Sequence, residues 1–294
     1  MPWQNRISVK PKAYSSSLLP AGFFCDVLRS SERQLQLAKK QDGNSDSSFI
    51  LVFLSDTSIF AFLKLILMSK AVIITGAAGN LGSAVTAKFL AEGYQVVAIV
   101  EPRTRHHFPE TPNLDVKEAN LFDEDAARVA VQQAYDQFPT LQAGALLVGG
   151  FMMGNLIRTS YRELEQMMDL NFKSAYNVVR PLFLRMQSQG KGGRIVLIGA
   201  RPVLEPGGGV DMIGYALSKS LIFKLADLLN AAGADKDIVT SVVVPSIIDT
   251  PTNRSAMPDA DFSTWVKPDE LAEKIENACH LDKRPAETII KVYG

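Results

Sequence analysis

A run of β-branched residues that breaks into glycines constrains this chain more than any other feature. Lys70-Ala-Val-Ile-Ile-Thr-Gly-Ala-Ala-Gly-Asn-Leu-Gly82 opens on an apolar stretch suited to a buried strand, then continues in the helical pattern of Ala84 to Leu90. Strand, loop and helix in this order form a phosphate cradle. Gly76 makes the tight turn, Gly79 lets the backbone approach a pyrophosphate, and Gly82 lets the helix pack close to the strand. The helix N-terminus then faces the anion with unpaired N–H groups and the positive end of its dipole, so no basic side chain is needed. A glycine triplet also occurs in ordinary turns, and the context has to decide.

A second strand, Gln95 to Val100, ends in Glu101, nineteen residues beyond Gly82. A carboxylate there accepts hydrogen bonds from both ribose hydroxyls and repels a 2′-phosphate, which favours NADH. Arg103 and Arg105 follow closely and can pair with that phosphate instead, so NADPH stays open.

Downstream the chain alternates: helix Asp123 to Phe138, strand Ala145 to Val148, helix Arg162 to Gln187, strand Arg194 to Ile198, helix Ile213 to Ala232, strand Thr240 to Val244, and a last apolar stretch, Thr288 to Tyr293. Strands alternating with helices imply an α/β, doubly wound parallel sheet that binds its ligand at the carboxyl ends of the strands. A hydrophobic content of 47% supports an ample core, and a net charge of zero gives no electrostatic case for nucleic acid or an anionic membrane. Cys25 and Cys279 suggest no disulfide framework, and His106, His107 and His280 lack metal-site spacing. A reducing, cytoplasmic setting is the default expectation.

Residues 1–67 stand apart from this pattern. The first 48 are rich in Ser, Gln, Lys and Arg and read as disordered. Phe49 to Met68 is long enough on paper to span a bilayer, but Asp56 and Lys64 interrupt it, each costing about 2.5–3.5 kcal/mol near a bilayer centre. The leading expectation is that Met68 is the physiological start or that the extension is dispensable, with 68–294 as one reductase domain. An organelle-targeting or anchoring leader is the alternative.

The chemistry centres on Tyr215-Ala-Leu-Ser-Lys219, where residues four apart share a helix face and meet the same ligand. A nearby ammonium favours a phenolate and brings tyrosine, normally near pKa 10, towards working pH. The pair alone is a common accident on exposed helices. Its position, 139 residues after Gly76 and on the helix after the fifth strand, makes residues 70 to 293 resemble the short-chain dehydrogenase/reductase family, with its single Rossmann-type domain. The resemblance implies that Tyr215 is the proton donor, Lys219 its partner and a holder of the nicotinamide ribose, and Asn171 part of a proton relay. For Asn171 a capping or interhelical hydrogen bond is the alternative. It also implies cofactor contacts from Asn80, Leu81, Asn120, Gly149, Pro245, Ile248 and Thr250, and a homodimer or homotetramer built on the two long helices.

One member of the family's catalytic set is missing. The position of its usual serine carries Ala200, and no Ser or Thr occurs from Ile195 through Gly214. That hydroxyl polarises a ketone oxygen, and its loss costs about 2–4 kcal/mol of transition-state stabilisation. The chain resembles the dihydropteridine reductases, a branch with alanine there that reduces quinonoid dihydropterin with NADH. Support for that branch comes from Val243 to Trp265, whose first part, Pro245 to Thr250, is expected to cover the nicotinamide and whose remainder, Asn253 to Trp265, is expected to form a mobile lid. Leu147-Val-Gly-Gly150 and Met212-Ile-Gly-Tyr215 agree, whereas Asn171 departs from that branch. Met152, Met153 and Met257 can wall a flat ring or simply fill space. A serine-lacking carbonyl or 3-oxoacyl reductase and a non-catalytic dinucleotide sensor are the competing readings.

Overall fold

The computed structural model describes residues 70–294. The expectations for residues 1–67, for the apolar stretch ending at Met68 and for a start at Met68 lie outside them. Among the described residues, no helix is long and apolar enough to cross a membrane.

The glycine-bearing run folds as β1 (Ala71–Thr75), the turn, and α1 (Asn80–Ala91). Then follow β2 (Gln95–Val100), β3 (Leu114–Glu118), α2 (Glu124–Gln137), β4 (Leu141–Leu146), α3 (Tyr161–Met168), α4 (Ser174–Gln189) and β5 (Gly193–Ile198). The chain continues through the short α5 (Arg201–Leu204), α6 (Ile213–Gly233), β6 (Ile238–Pro245), α7 (Pro251–Ala256), α8 (Pro268–Ala278) and β7 (Ile289–Val292). The seven strands form one parallel sheet in the order β3-β2-β1-β4-β5-β6-β7. The chain winds outward from β1 to β3 and then returns to the other side of β1 for β4. That reversal opens a crevice at the carboxyl ends of β1 and β4.

Both faces of the sheet are covered, which explains the nearly unbroken apolar runs of β1 and β2. Ile73, Val97, Ile195, Val242 and Val244 pack with α2, α4 and α6 through Ala130, Val178, Leu182 and Ile222. Their alternates Val72, Ile74, Val96, Val196 and Val243 pack on the other face with Val85 and Phe89 of α1 and Leu271 and Ile275 of α8. Ile73 and Ile74 are both fully buried, on opposite faces, and each contributes about 1.5–3 kcal/mol of apolar burial.

Three elements depart from the sequence pattern. β3 was not foreseen: Leu114-Asp-Val-Lys-Glu118 is an edge strand with partly exposed residues, so it lacks a continuous apolar run. The strand expected at Ala145 to Val148 begins at Leu141 and ends at Leu146. Gln142 and Gly144 disguise its start, yet Gln142 Nε2 donates to Lys191 O (2.6 Å), and a Cβ at Gly144 would lie 2.6 Å from Leu182 Cδ2. The helix expected from Arg162 to Gln187 is interrupted by a π-helical turn, Asp169–Lys173, which contains Asn171.

Candidate functional site

The first turn after β1 is shaped for a phosphate. Gly76 has φ +65°, a left-handed conformation, and its carbonyl accepts Gly79 N–H (3.0 Å). A Cβ at Gly82 would sit 2.1 Å from Gly76 O, so no side chain fits there. Gly79 caps α1 without a side-chain bond, leaving the amides of Asn80 and Leu81 at an unblocked helix N-terminus. A cradle closed to side chains but open to an anion is what a dinucleotide pyrophosphate requires.

Beside it lies the exposed end of β2. Glu101 O accepts Thr104 N–H (3.1 Å), and Arg103 occupies a left-handed conformation (φ +66°) with its N–H towards Glu118 Oε2 (3.5 Å). Glu101, Arg103 and Arg105 are all exposed on the segment that follows β2. Asn120 is also exposed. Its Oδ1 is taken by Phe122 N–H (3.0 Å), which leaves its amide N–H groups for a ligand.

Across the crevice, one hydrogen-bonded frame holds the chemistry. Lys219, only 5% exposed, donates from Nζ to Ile198 O at the end of β5 (2.9 Å). Asn171, 1% exposed, accepts Gly150 N–H at Oδ1 (3.0 Å) and donates from Nδ2 to Gly150 O (3.1 Å) and Ser218 Oγ (3.1 Å). Ser218 in turn donates to Tyr215 O (2.8 Å). A Cβ at Gly149 would lie 2.7 Å from Asn171 Oδ1 and 3.1 Å from Lys219 Nζ, so a side chain here would push on both polar heads. The π-helical turn re-aims Asn171 at the strand ends. Asn171 makes the interhelical bond and also braces the Gly149-Gly150 turn.

Burial acts on both members of the Tyr215 and Lys219 pair on α6. Burial pushes the Tyr215 phenol up to about 12, and no cation offsets it. Burial brings Lys219 down to about 8, and its ammonium is engaged by the Ile198 carbonyl.

Two residues of this site were not foreseen. Phe151 packs edge-on against Tyr215, with ring centroids 5.1 Å apart, and is 56% exposed. An aromatic directly after two glycines at a strand end was the available signal. Ser218 looked like filler between Tyr215 and Lys219, yet its hydroxyl joins Asn171 to the backbone of Tyr215. Ala200 is buried, as the residue before α5, and brings no hydroxyl. Met153 and Met257 are exposed, the former in the Phe151 segment.

After β6, Pro245 to Thr250 runs out from the sheet. Ile248 pairs with Val266, and Thr250 caps α7 by accepting Asn253 N–H (3.2 Å). The segment expected to be a lid, Asn253 to Trp265, contains the end of α7 and a 3₁₀ turn at Phe262–Thr264.

Comparison with known proteins agrees with this architecture. Dihydropteridine reductase of Dictyostelium discoideum is 28% identical over 226 residues, 74% of this chain and 91% of that protein. Acetoacetyl-CoA reductase of an Acinetobacter species is also 28% identical, over 62% of this chain and 75% of that protein. A 3-oxoacyl-[acyl-carrier-protein] reductase of Thermotoga maritima is 23% identical over 71% and 89% of the two chains. The structure of ElxO with NADP bound superposes with a TM-score of 0.68 at 21% identity, covering 76% of this chain and 97% of ElxO. The model of the short chain dehydrogenase family matches residues 70–261, and the chain belongs to that family of NAD(P)-dependent reductases.

Proposed function

We propose that the protein reduces a quinonoid dihydropterin, or a similarly electron-poor ring, to its tetrahydro form with NADH. The observation that carries this reading is Ala200. A buried alanine stands where ketone reduction would use a hydroxyl, and the nearby Ser218 hydroxyl is spent on Asn171 and Tyr215 O. The likeness to the Dictyostelium reductase supports it.

When bound, the reduced nicotinamide supplies the hydride. The glycine turn at Gly76, Gly79 and Gly82, with Asn80 and Leu81, would hold the pyrophosphate, Glu101 the ribose hydroxyls, and Asn120 and Gly149 the adenosine and nicotinamide halves. Lys219 would hold the nicotinamide ribose, and Pro245, Ile248 and Thr250 the nicotinamide. A quinonoid ring becomes aromatic on reduction, so one proton donor suffices. Tyr215 fits that role by its place on α6, one turn before Lys219, with its backbone tied through Ser218 to Asn171. Phe151 offers an apolar wall beside it.

Tyr176 and Leu184 on α4, with Leu217 and Leu228 on α6, leave apolar side chains on the two long helices, which supports a homodimer or homotetramer. Residues 68–294 are the working domain in this reading, cytoplasmic, with the extension dispensable.

The test compares initial rates on quinonoid dihydropterin and on an acetoacetyl thioester for wild type and Ala200→Ser. The proposal expects wild type to prefer the pterin, and the serine to raise thioester turnover about tenfold or more while changing pterin turnover less than threefold. Equal responses of both substrates would refute it.

A further inference from the structure

The amino ends of the parallel strands, at the end of the sheet opposite to the glycine turn, enclose a second concavity. A cavity of about 280 Å³ lies between the starts of β1 and β4, Tyr94 ahead of β2, the end of α4 and the stretch after α8. That volume is close to the lower limit of small-molecule sites, roughly 300 Å³. Its walls are held from two sides. Gln142 Nε2 donates to Lys191 O (2.6 Å), and Gln189 Nε2 donates to Pro139 O (2.9 Å). On the other side Arg194, 1% exposed, donates from Nε to His280 O and from Nη2 to Leu281 O, both at 3.2 Å.

Two polar atoms of the lining residues, Tyr94 Oη and Gln189 Oε1, are buried without a hydrogen-bond partner among the described residues. Tyr94 is 3% exposed, and its ring is held edge-on by Phe89 at 4.8 Å. Glu276 also faces this phenol, but its Oε1 is engaged by His280 Nε2 (2.6 Å). Buried polar atoms are ordinarily paired, so these two call for a ligand. A phenol hydroxyl gives or takes a hydrogen bond and an amide oxygen only takes one, so hydroxyl groups on the ligand satisfy both. Glu276 disfavours negative charge at that inner end. At the mouth the sign reverses: Lys191 is exposed and forms no ion pair among the described residues, and Lys70 is held only loosely, 3.8 Å from the exposed Asp282.

We propose that this cavity binds a small phosphorylated polyol, with its hydroxyls on Tyr94 Oη and Gln189 Oε1 and its phosphate between Lys70 and Lys191. Lysine ammoniums are point charges that suit a phosphate, and two of them face one carboxylate at the mouth. The site is separate from the crevice at the carboxyl ends of the strands and stands whichever acceptor the reductase uses.

The experiment is a calorimetric titration of the full chain, saturated with NADH so that the glycine turn is occupied, with ribose 5-phosphate, ribose and inorganic phosphate as probes. Wild type should bind ribose 5-phosphate about tenfold or more tighter than either ribose or phosphate. Lys191→Ala should weaken ribose 5-phosphate about tenfold and leave ribose within about twofold. Tyr94→Phe should weaken both sugars about fivefold or more. Because the Tyr94 hydroxyl has no partner in the fold, this variant should melt no lower than wild type. NADH affinity should stay within about twofold of wild type in both variants.

Ribose 5-phosphate bound no better than inorganic phosphate would overturn the proposal. Competition between ribose 5-phosphate and NADH would do the same, because the sugar phosphate would then sit at the glycine turn. Binding left unchanged by both variants would place the ligand outside this cavity and also refute it. If Tyr94→Phe failed to fold, Lys191→Ala at the exposed mouth would decide: loss of the advantage of ribose 5-phosphate over ribose supports the site, and an advantage of unchanged size refutes it.

Discussion

Replacing Lys219 with methionine should stabilise the cofactor-free protein at neutral pH while abolishing its use as an enzyme. Lys219 is almost wholly buried and burial lowers it from 10.5 to about 8. Each tenfold in protonation corresponds to about 1.4 kcal/mol, so holding the ammonium in this site costs the fold about 3 kcal/mol. Methionine has a similar stem and removes that cost. It also leaves the Ile198 carbonyl without its donor, a loss of about 1 kcal/mol. The net gain is about 2 kcal/mol, or roughly 5 °C in melting temperature for a domain of this size. The sign follows from linkage: the folded-state pKa lies below the unfolded one, so the penalty is complete below pH 8. It fades as pH rises towards 10.5, where the unfolded lysine also loses its proton. Thermal unfolding by circular dichroism at pH 7 and pH 10 reads this directly. A variant less stable than wild type at pH 7, or a gain of equal size at both pH values, would refute the reasoning.

Two further outcomes follow from the cofactor side. Gly82→Ala should abolish dinucleotide binding in a calorimetric titration, because its Cβ would collide with Gly76 O at the turn. Retained affinity would mean that the turn is not the phosphate site. Glu101→Ala should raise the NADPH-to-NADH ratio of kcat/KM about tenfold, by removing the charge beside Arg103 and Arg105. An unchanged ratio would take Glu101 out of cofactor choice.

Local chemistry decided how far the sequence could be read. The β1 turn was legible because the left-handed Gly76 favours glycine and no side chain fits at Gly82, and the two-faced core was legible because β1 and β2, buried on both sides, carry nearly unbroken apolar runs. β3 was hidden by being an edge strand, where Asp115 and Lys117 pair with each other at 3.0 Å and no continuous apolar run is required. β4 was shifted because Gly144 makes room for Leu182, a constraint set by a helix many residues away. In the site, helical spacing brought Tyr215 and Lys219 onto one face, but spacing says nothing of competing acceptors. Ile198 O takes the ammonium, and burial, not the cation, governs the phenol. Asn171 was expected from the family motif, whereas its bracing of Gly150 depends on a π-helical turn that no local pattern announces.

The most direct test of the central claim is oxidation of NADH, beside NADPH, with freshly generated quinonoid dihydropterin, comparing wild type with Tyr215→Phe. The account predicts rapid turnover by wild type and a fall in kcat of about a hundredfold or more in the variant, with NADH affinity retained. Turnover that survives the loss of the phenol would contradict the assignment of Tyr215 as the acid, and tight NADH binding without any turnover would contradict the pterin as substrate.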